Sequence, residues 1–231
     1  MIKSEQDRTR QFYDEFSQYL QLDTRDDNKR IGYFKQKIAG IVTANNPFNC
    51  DILDMGCGIG ITSQWMAKLG ANVTAVDISP ANINYAKEHF AHKNVEYIEA
   101  DITELRLDRK FSGIVLSDIW EHIPPAYSSF LKNVITRHAK DNGAWIYLNI
   151  PDGRYQEAAR KHIPERLQMV DEAWTIPGIL AQFKSMGFAP VSIDIHGIDC
   201  ICQYNTFLFR RIADISAAYE RTLVKWKAVL K

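Results

Sequence analysis

No stretch of this 231-residue sequence approaches the roughly 18 consecutive apolar residues of a membrane-spanning helix, which speaks against an integral membrane protein. Nor is there an excess of charge of either sign. Lys plus Arg and Asp plus Glu number 28 each, so no global field draws the chain to nucleic acid or to an anionic membrane. Cysteine is scarce: Cys50, Cys57, Cys200 and Cys202 are too few to staple a chain of this length into a disulfide framework. Cys200 and Cys202 form a C-x-C inside a strand-like run, where alternation puts both on one face. With no further ligand of suitable spacing nearby, they are expected to pack in the core rather than to hold a metal. The opening MIKSEQDRTRQFYDEF lacks the apolar centre of a signal peptide, so a cytoplasmic location is expected. Internal repeats and low-complexity tracts are missing too. A small neutral or zwitterionic partner suits such a chain best.

What is present is an alternation of strand-like and helix-like patterns. Before it come two helical stretches, FYDEFSQYL and IGYFKQKIAGIV, separated by the charged LDTRDDNKR. From residue 51 the order is DILDM, a helix from about Ile61 to Leu69 closed by Gly70, and NVTAVD. Ser79-Pro80 then starts a helix with serine as N-cap and proline at the first helical position. VEYIEA, FSGIVLS and AWIYLNI are the next three strands, with a helix start at Pro124-Pro125 between the last two. This rhythm predicts right-handed crossovers and a doubly wound α/β fold, its parallel sheet covered by helices on both faces. After Ile150 a longer polar segment intervenes, followed by a helix around Pro177 to Met186. PVSIDIHGI and CICQYNTFLFRR, joined through a short connection at Asp199, then read as a closing hairpin, and a last helix follows. A single domain is expected over 1–231. Its parts are an N-terminal helical lid (1–45), a ligand-binding core (50–150), an acceptor-side segment (151–175), and a closing helix, hairpin and terminal helix (176–231).

The glycine loop narrows the ligand. A dinucleotide fold calls for G-x-G-x-x-G, whereas DILDMGCGIGI has Gly56, Gly58 and Gly60 in G-x-G-x-G spacing, with isoleucine at 61. Asp54, two residues ahead of the first glycine, would repel a pyrophosphate at the strand's carboxyl end and attract an ammonium group. Asp77 ends the second strand, where an acid accepts hydrogen bonds from ribose hydroxyls. Asp101 lies one strand further on, able to accept from the exocyclic amine of an adenine, with Ile78 and Ile102 offering apolar surfaces to the ring. An amino-acid group, a ribose and an adenine in order along one rim describe S-adenosylmethionine.

ILDMGCGIG, AVDIS, EADI and SDIWEHIPP together resemble the ordered motifs of the class I S-adenosylmethionine-dependent methyltransferases of the small-molecule type. The resemblance is close over roughly 50–150. It implies that Asp54 and the loop of Gly56, Cys57, Gly58 and Gly60 serve the methionine end. Asp77 with Ile78 would then hold the ribose side and Asp101 with Ile102 the adenine, with Ser117 nearby at the end of the fourth strand. It also implies a Rossmann-like seven-stranded sheet, mostly parallel with the last strand antiparallel.

In that architecture SDIWEHIPP follows the fourth strand beside the sulfonium methyl. His122 has the unperturbed pKa, near 6.5, of a base able to take an acceptor's hydroxyl proton, with Glu121 beside it; equally, both could shape the loop. The acceptor pocket is expected from parts outside the sheet, namely Tyr13, Tyr19, Arg30 and Tyr33 of the lid and Tyr155 and His162 of the later segment. Gln168, Asp171 and Trp174 are further candidates. The mixture suits a polar acceptor such as a sugar or a natural-product intermediate, methylated on a hydroxyl, with an amine as the alternative. No metal is expected. Asn149-Ile150-Pro151-Asp152 is similar to the N/D-P-P-Y/F motif of amino-methylating DNA enzymes, but it follows the fifth strand and lacks the aromatic residue, so a nucleic-acid substrate is disfavoured. A nicotinamide-dependent oxidoreductase is disfavoured by Asp54 and by Ile61, and a non-catalytic binding protein is the remaining alternative.

Overall fold

Alternating residues on each strand are buried against opposite faces, and this builds two cores. Leu53, Met55, Ile114, Leu116, Ile146 and Leu148 pack on one side of the sheet, while Ile52, Val73, Ala75, Val115, Trp145 and Tyr147 pack on the other. The computed structural model describes residues 5–22, 28–44 and 50–229. Seven strands form one sheet in the order β3-β2-β1-β4-β5-β7-β6. They are β1 (Asp51–Met55), β2 (Asn72–Asp77), β3 (Val95–Glu99), β4 (Gly113–Ser117), β5 (Trp145–Pro151), β6 (Phe188–His196) and β7 (Tyr204–Arg211). The first five pair in parallel, and β7 runs antiparallel to both β5 and β6. The expected seven-stranded, doubly wound architecture with its antiparallel last strand is therefore observed. One corollary matters for the site. Because β7 opposes both neighbours, β6 points the same way as β1–β5, and its final residue, His196, emerges on the rim where β1, β2 and β4 end.

The helices are α1 (Glu5–Leu22), α2 (Lys29–Ala44), α3 (Ile61–Lys68), α4 (Pro80–His89), α5 (Ser128–His138), α6 (Gly153–His162), α7 (Ile176–Ser185) and α8 (Ile212–Val229). The first core is closed by Leu131 and Ile135 of α5 and by Ile179 and Phe183 of α7. The second is closed by Phe34 and Ile38 of α2, Met66 of α3 and Ile83 of α4. Caps follow the local sequence: the Ser79 side chain accepts from the Asn82 N–H with Pro80 in the first turn, and the Asp152 side chain accepts from the Arg154 N–H at the start of α6.

Two expectations need correction. The connection between β6 and β7 runs from Gly197 to Gln203 rather than through a short link at Asp199. Cys200 and Cys202 lie in that turn, exposed, and not in the core; Cys202 takes a left-handed backbone with φ 55°. The apolar alternation of ICQY extends the strand pattern beyond the paired region, which starts only at Tyr204, opposite His196. The polar segment after β5 folds as α6 and a 3-10 turn over Pro164–Arg166. Of the charged LDTRDDNKR, residues 23–27 lie outside the described residues.

Candidate active site

Gly56, Gly58 and Gly60 all have positive φ, at 76°, 53° and 85°. The every-second-residue glycines are thus a backbone requirement. A Cβ at Gly60 would come within 2.6 Å of the Tyr97 hydroxyl and 2.9 Å of Ala86 Cβ, so this glycine serves the packing of the loop on α4 and β3 and lines no cavity. At Gly56 a Cβ would meet Ile119 at 2.0 Å. The loop is tied to the second strand: Gly56 and Cys57 donate to the Val76 carbonyl at 2.8 and 3.0 Å, and the Gly58 N–H donates to Asp77 Oδ2 at 2.8 Å.

Two adjoining cavities open beside this loop and share Tyr13, Gly56, Asp77, Ile119 and His122. The smaller, about 110 Å³, is bordered by Ile78, Asp101, Ile102 and Ile123. The larger, about 360 Å³, is bordered by Asp54, Cys57, Gly58 and Ser117 on the sheet side and by Tyr19, Arg30 and Tyr33 from the two first helices. Asp54 is 2% exposed and accepts from Ser63 Oγ at 2.6 Å; burial pushes its carboxyl up to about 6. Asp77 accepts from Gly58, from the Ser79 N–H at 3.0 Å and from Asn82 Nδ2 at 3.2 Å. An ionised carboxylate has about four acceptor positions, which leaves room for a ligand hydroxyl. Asp101 Oδ1 accepts from the Thr103 N–H and hydroxyl, both at 2.7 Å.

His122 stands where the cavities meet. Its Nδ1 lies 2.7 Å from the Val170 carbonyl oxygen, which can only accept, so Nδ1 carries the proton and Nε2 the lone pair. Asp171 Oδ1 backs the same nitrogen at 3.4 Å, and Tyr13 covers the ring edge-on with centroids 6.5 Å apart. Burial holds the imidazole below its ordinary range, with the Val170 carbonyl and Asp171 opposing. Glu121 is 1% exposed, lies behind His122 with its Oε1 at 3.7 Å from Nε2, and lines neither cavity. Burial and the neighbouring Asp118 push its carboxyl well above the carboxylate range.

The first two helices supply further walls. Asp14 of α1 accepts from Ser79 Oγ at 2.5 Å and from the Ala81 N–H at 3.1 Å, which docks the helix on the start of α4 and sets Tyr13 over both cavities. On α2, Arg30 approaches Asp118 at 3.8 Å and the Tyr33 hydroxyl donates to Asp194 at 2.5 Å. Of the later segment, Gln168 lines the larger cavity and Asp171 supports His122, whereas Trp174 packs against Trp120 and neither Tyr155 nor His162 lines either of these two cavities. Sequence reasoning passed over Tyr147, Asn149 and His196, all lining the larger cavity. The signal was there for two of them, since Asn149 and His196 stand at the carboxyl ends of strands, as Asp54 and Asp77 do. Among the described residues no group of three or more His, Cys, Asp or Glu could hold a metal ion. No described helix is long and apolar enough to cross a membrane.

Sheet order and glycine loop together define a Rossmann-like fold of the class I methyltransferase type. It is similar to a magnesium protoporphyrin IX methyltransferase from Synechocystis PCC 6803 crystallised with bound SAH, with TM-score 0.72 and 16% identity over 90% of this chain and 100% of that one. A 1,6-didemethyltoxoflavin-N1-methyltransferase of Burkholderia thailandensis matches with TM-score 0.66 and 16% identity, covering 91% and 92%. Residues 52–143 match the family described as "Methyltransferase domain". Over those residues the chain is similar to a methyltransferase domain, which bears out the resemblance to the class I S-adenosylmethionine-dependent methyltransferases. Among curated relatives, the mitochondrial ubiquinone biosynthesis O-methyltransferase of Schizosaccharomyces pombe is 42% identical over 104 residues, covering 43% of this chain and 37% of its own length. The ubiquinone biosynthesis O-methyltransferase of Colwellia psychrerythraea is 35% identical over 103 residues, covering 41% and 42%. The chain thus spans about two fifths of the length of these relatives.

Proposed function

We propose that the protein transfers a methyl group from S-adenosylmethionine to a hydroxyl of a small polar molecule, such as a sugar or natural-product intermediate, in the cytoplasm. The observation that carries this reading is the tautomer of His122, a residue that lines both cavities: with Nδ1–H held by Val170, its Nε2 keeps the lone pair a base needs. The names of the curated relatives, O-methyltransferases, support the choice of oxygen.

The residues present fit the cofactor. Asp54 would hold the ammonium of the methionine end, Asp77 the ribose hydroxyls, and Ile78, Asp101 and Ile102 the adenine; all of them line the two cavities. When bound, S-adenosylmethionine supplies an electrophilic methyl whose leaving group is a neutral thioether. The chain's task is then to align the hydroxyl, exclude water and accept one proton. His122 Nε2 takes that proton as the oxygen forms its bond to carbon, and Asp171, 3.4 Å from Nδ1, stabilises the imidazolium. Glu121, its carboxyl pushed well above the carboxylate range by burial and Asp118, lies 3.7 Å from Nε2 and lines neither cavity. Helices α1 and α2 act as the lid, with Tyr13 shielding the junction and Arg30 and Tyr33 walling the acceptor side. With equal numbers of positive and negative side chains, the molecule suits such a partner better than nucleic acid.

Incubation with methyl-labelled S-adenosylmethionine and a panel of sugars, phenols, amines and carboxylates tests this. Labelled methyl ethers are expected. Transfer to amines alone would replace the hydroxyl reading with N-methylation.

A further inference from the structure

The acceptor side of the larger cavity carries a surplus of lone pairs, and a chain of hydrogen bonds fixes where they are. Asp118 Oδ1 accepts from Asn149 Nδ2 at 2.7 Å, which orients the amide so that its oxygen faces Thr206. Asn149 Oδ1 then accepts the Thr206 hydroxyl proton at 2.6 Å. With that proton committed, both oxygens can only accept from His196 Nε2, which lies 3.0 Å from Thr206 Oγ1 and 3.3 Å from Asn149 Oδ1. Nε2 must therefore carry the imidazole proton and Nδ1 the lone pair. The Tyr33 ring covers one face of the imidazole, with centroids 3.5 Å apart and planes 14° from parallel. Among the described residues, buried Nδ1 has no hydrogen-bond partner, and neither has the buried Oε1 of Gln168, another residue of the same cavity. Burial keeps His196 below its ordinary range and so neutral near pH 7. Leaving such an acceptor without a donor is costly, and a bound molecule that offers an O–H or N–H removes that cost.

A hydroxyl has one proton, and in the reaction proposed above that proton goes to His122. His196 needs another donor. We propose that His196 determines specificity: its Nδ1 accepts from a second donor group of the methyl acceptor, selecting uncharged molecules with at least one O–H or N–H besides the hydroxyl that is methylated. The inference rests on the methyl transfer reading.

Resorcinol and its monomethyl ether, nearly alike in shape with two donors and one, probe it in the complex with S-adenosylhomocysteine. Calorimetry should show resorcinol binding about tenfold more tightly than the ether to the parent protein. The preference should vanish in His196→Gln, which can restore an N–H at the Nε2 position but has no acceptor where Nδ1 stood. It should survive in His196→Asn, whose amide oxygen lies one bond from Cγ as Nδ1 does. All three proteins should bind S-adenosylhomocysteine alike, which reads out the integrity of the fold. Nitrogen NMR of labelled histidine should find Nε2 protonated and Nδ1 bare, with the Nδ1 resonance moving on addition of resorcinol. Protonated Nδ1, no preference in the parent protein, no binding of either phenol at millimolar concentration, or an undiminished preference in His196→Gln would overturn the proposal. Methyl transfer is assayed separately: a preserved preference without transfer to any hydroxyl compound leaves His196 its role and removes the transferase reading.

Discussion

At the scale of the residue, Asp54 and His122 show how burial prepares two groups for opposite tasks. Asp54 titrates at about 6 in the folded protein, against about 4 in an unfolded chain. Between those values the folded form binds a proton that the unfolded form has released, so stability of the ligand-free protein falls as pH rises through the window. An ammonium beside Asp54 favours the ionised form. Affinity for S-adenosylhomocysteine is therefore expected to weaken about tenfold from pH 7 to pH 5, and to lose most of this dependence in Asp54→Asn. A pH-independent affinity in the parent protein would refute the pairing. His122 is displaced downward by burial, which keeps it a free base at neutral pH. His122→Ala should lower turnover by roughly 100-fold or more and leave S-adenosylhomocysteine binding intact, because general base catalysis typically contributes 10²–10⁴. Parent-like turnover, with chemistry shown to be rate-limiting, would leave alignment alone as the source of rate. The positions of Asp54, Asp77 and Asp101, at or just past strand ends, were legible because each closes a strand-like run. The tautomers of His122 and His196 were not, since the Val170 carbonyl and the Asn149 amide reach them from 48 and 47 residues away in the chain.

At the scale of the element, α1 is held by a contact that the chain's local pattern does not announce. Asp14 docks on the first turn of α4 through Ser79 Oγ and the Ala81 N–H, adding an acid at a helix N-terminus already capped by Ser79. Asp14→Ala should cost about 1 kcal/mol in stability. It should also speed hydrogen exchange across α1 and accelerate release of S-adenosylhomocysteine in stopped-flow measurements, because Tyr13 of the same helix covers both cavities. An unchanged release rate would mean that α1 does not act as a lid. The strands β1, β2, β4 and β5 could be read because each buries a nearly continuous run, and α4 because of its Ser79-Pro80 start. The turn between β6 and β7 could not: the apolar residues of ICQY continue a strand pattern, yet Ile201 is 91% exposed and pairing begins only at Tyr204. Tertiary pairing with β5 set that boundary.

At the scale of the whole molecule, the alternation of elements implied a parallel sheet, whereas the strand order that puts β1 between β2 and β4 comes from packing and was not anticipated. That order brings Asp54, Asp77 and Ser117 onto one rim, so a ligand bound there bridges three strands. Binding selective for the folded state raises stability by mass action, about 2.7 kcal/mol at 100 times Kd, which corresponds to roughly 5–10 °C for a chain of this size. S-adenosylhomocysteine should produce such a shift in a thermal scan. Asp77→Ala should reduce it, since losing charge-assisted hydrogen bonds to a ribose costs about 1.5–3 kcal/mol of affinity. NAD at the same concentration should leave the midpoint unmoved: Asp54 opposes a pyrophosphate, and the Gly58 N–H that could have met a phosphate is already engaged by Asp77. A shift with NAD equal to that with S-adenosylhomocysteine would show that the rim reads only a ribose, and the assignment of Asp54 to an ammonium would fall with it.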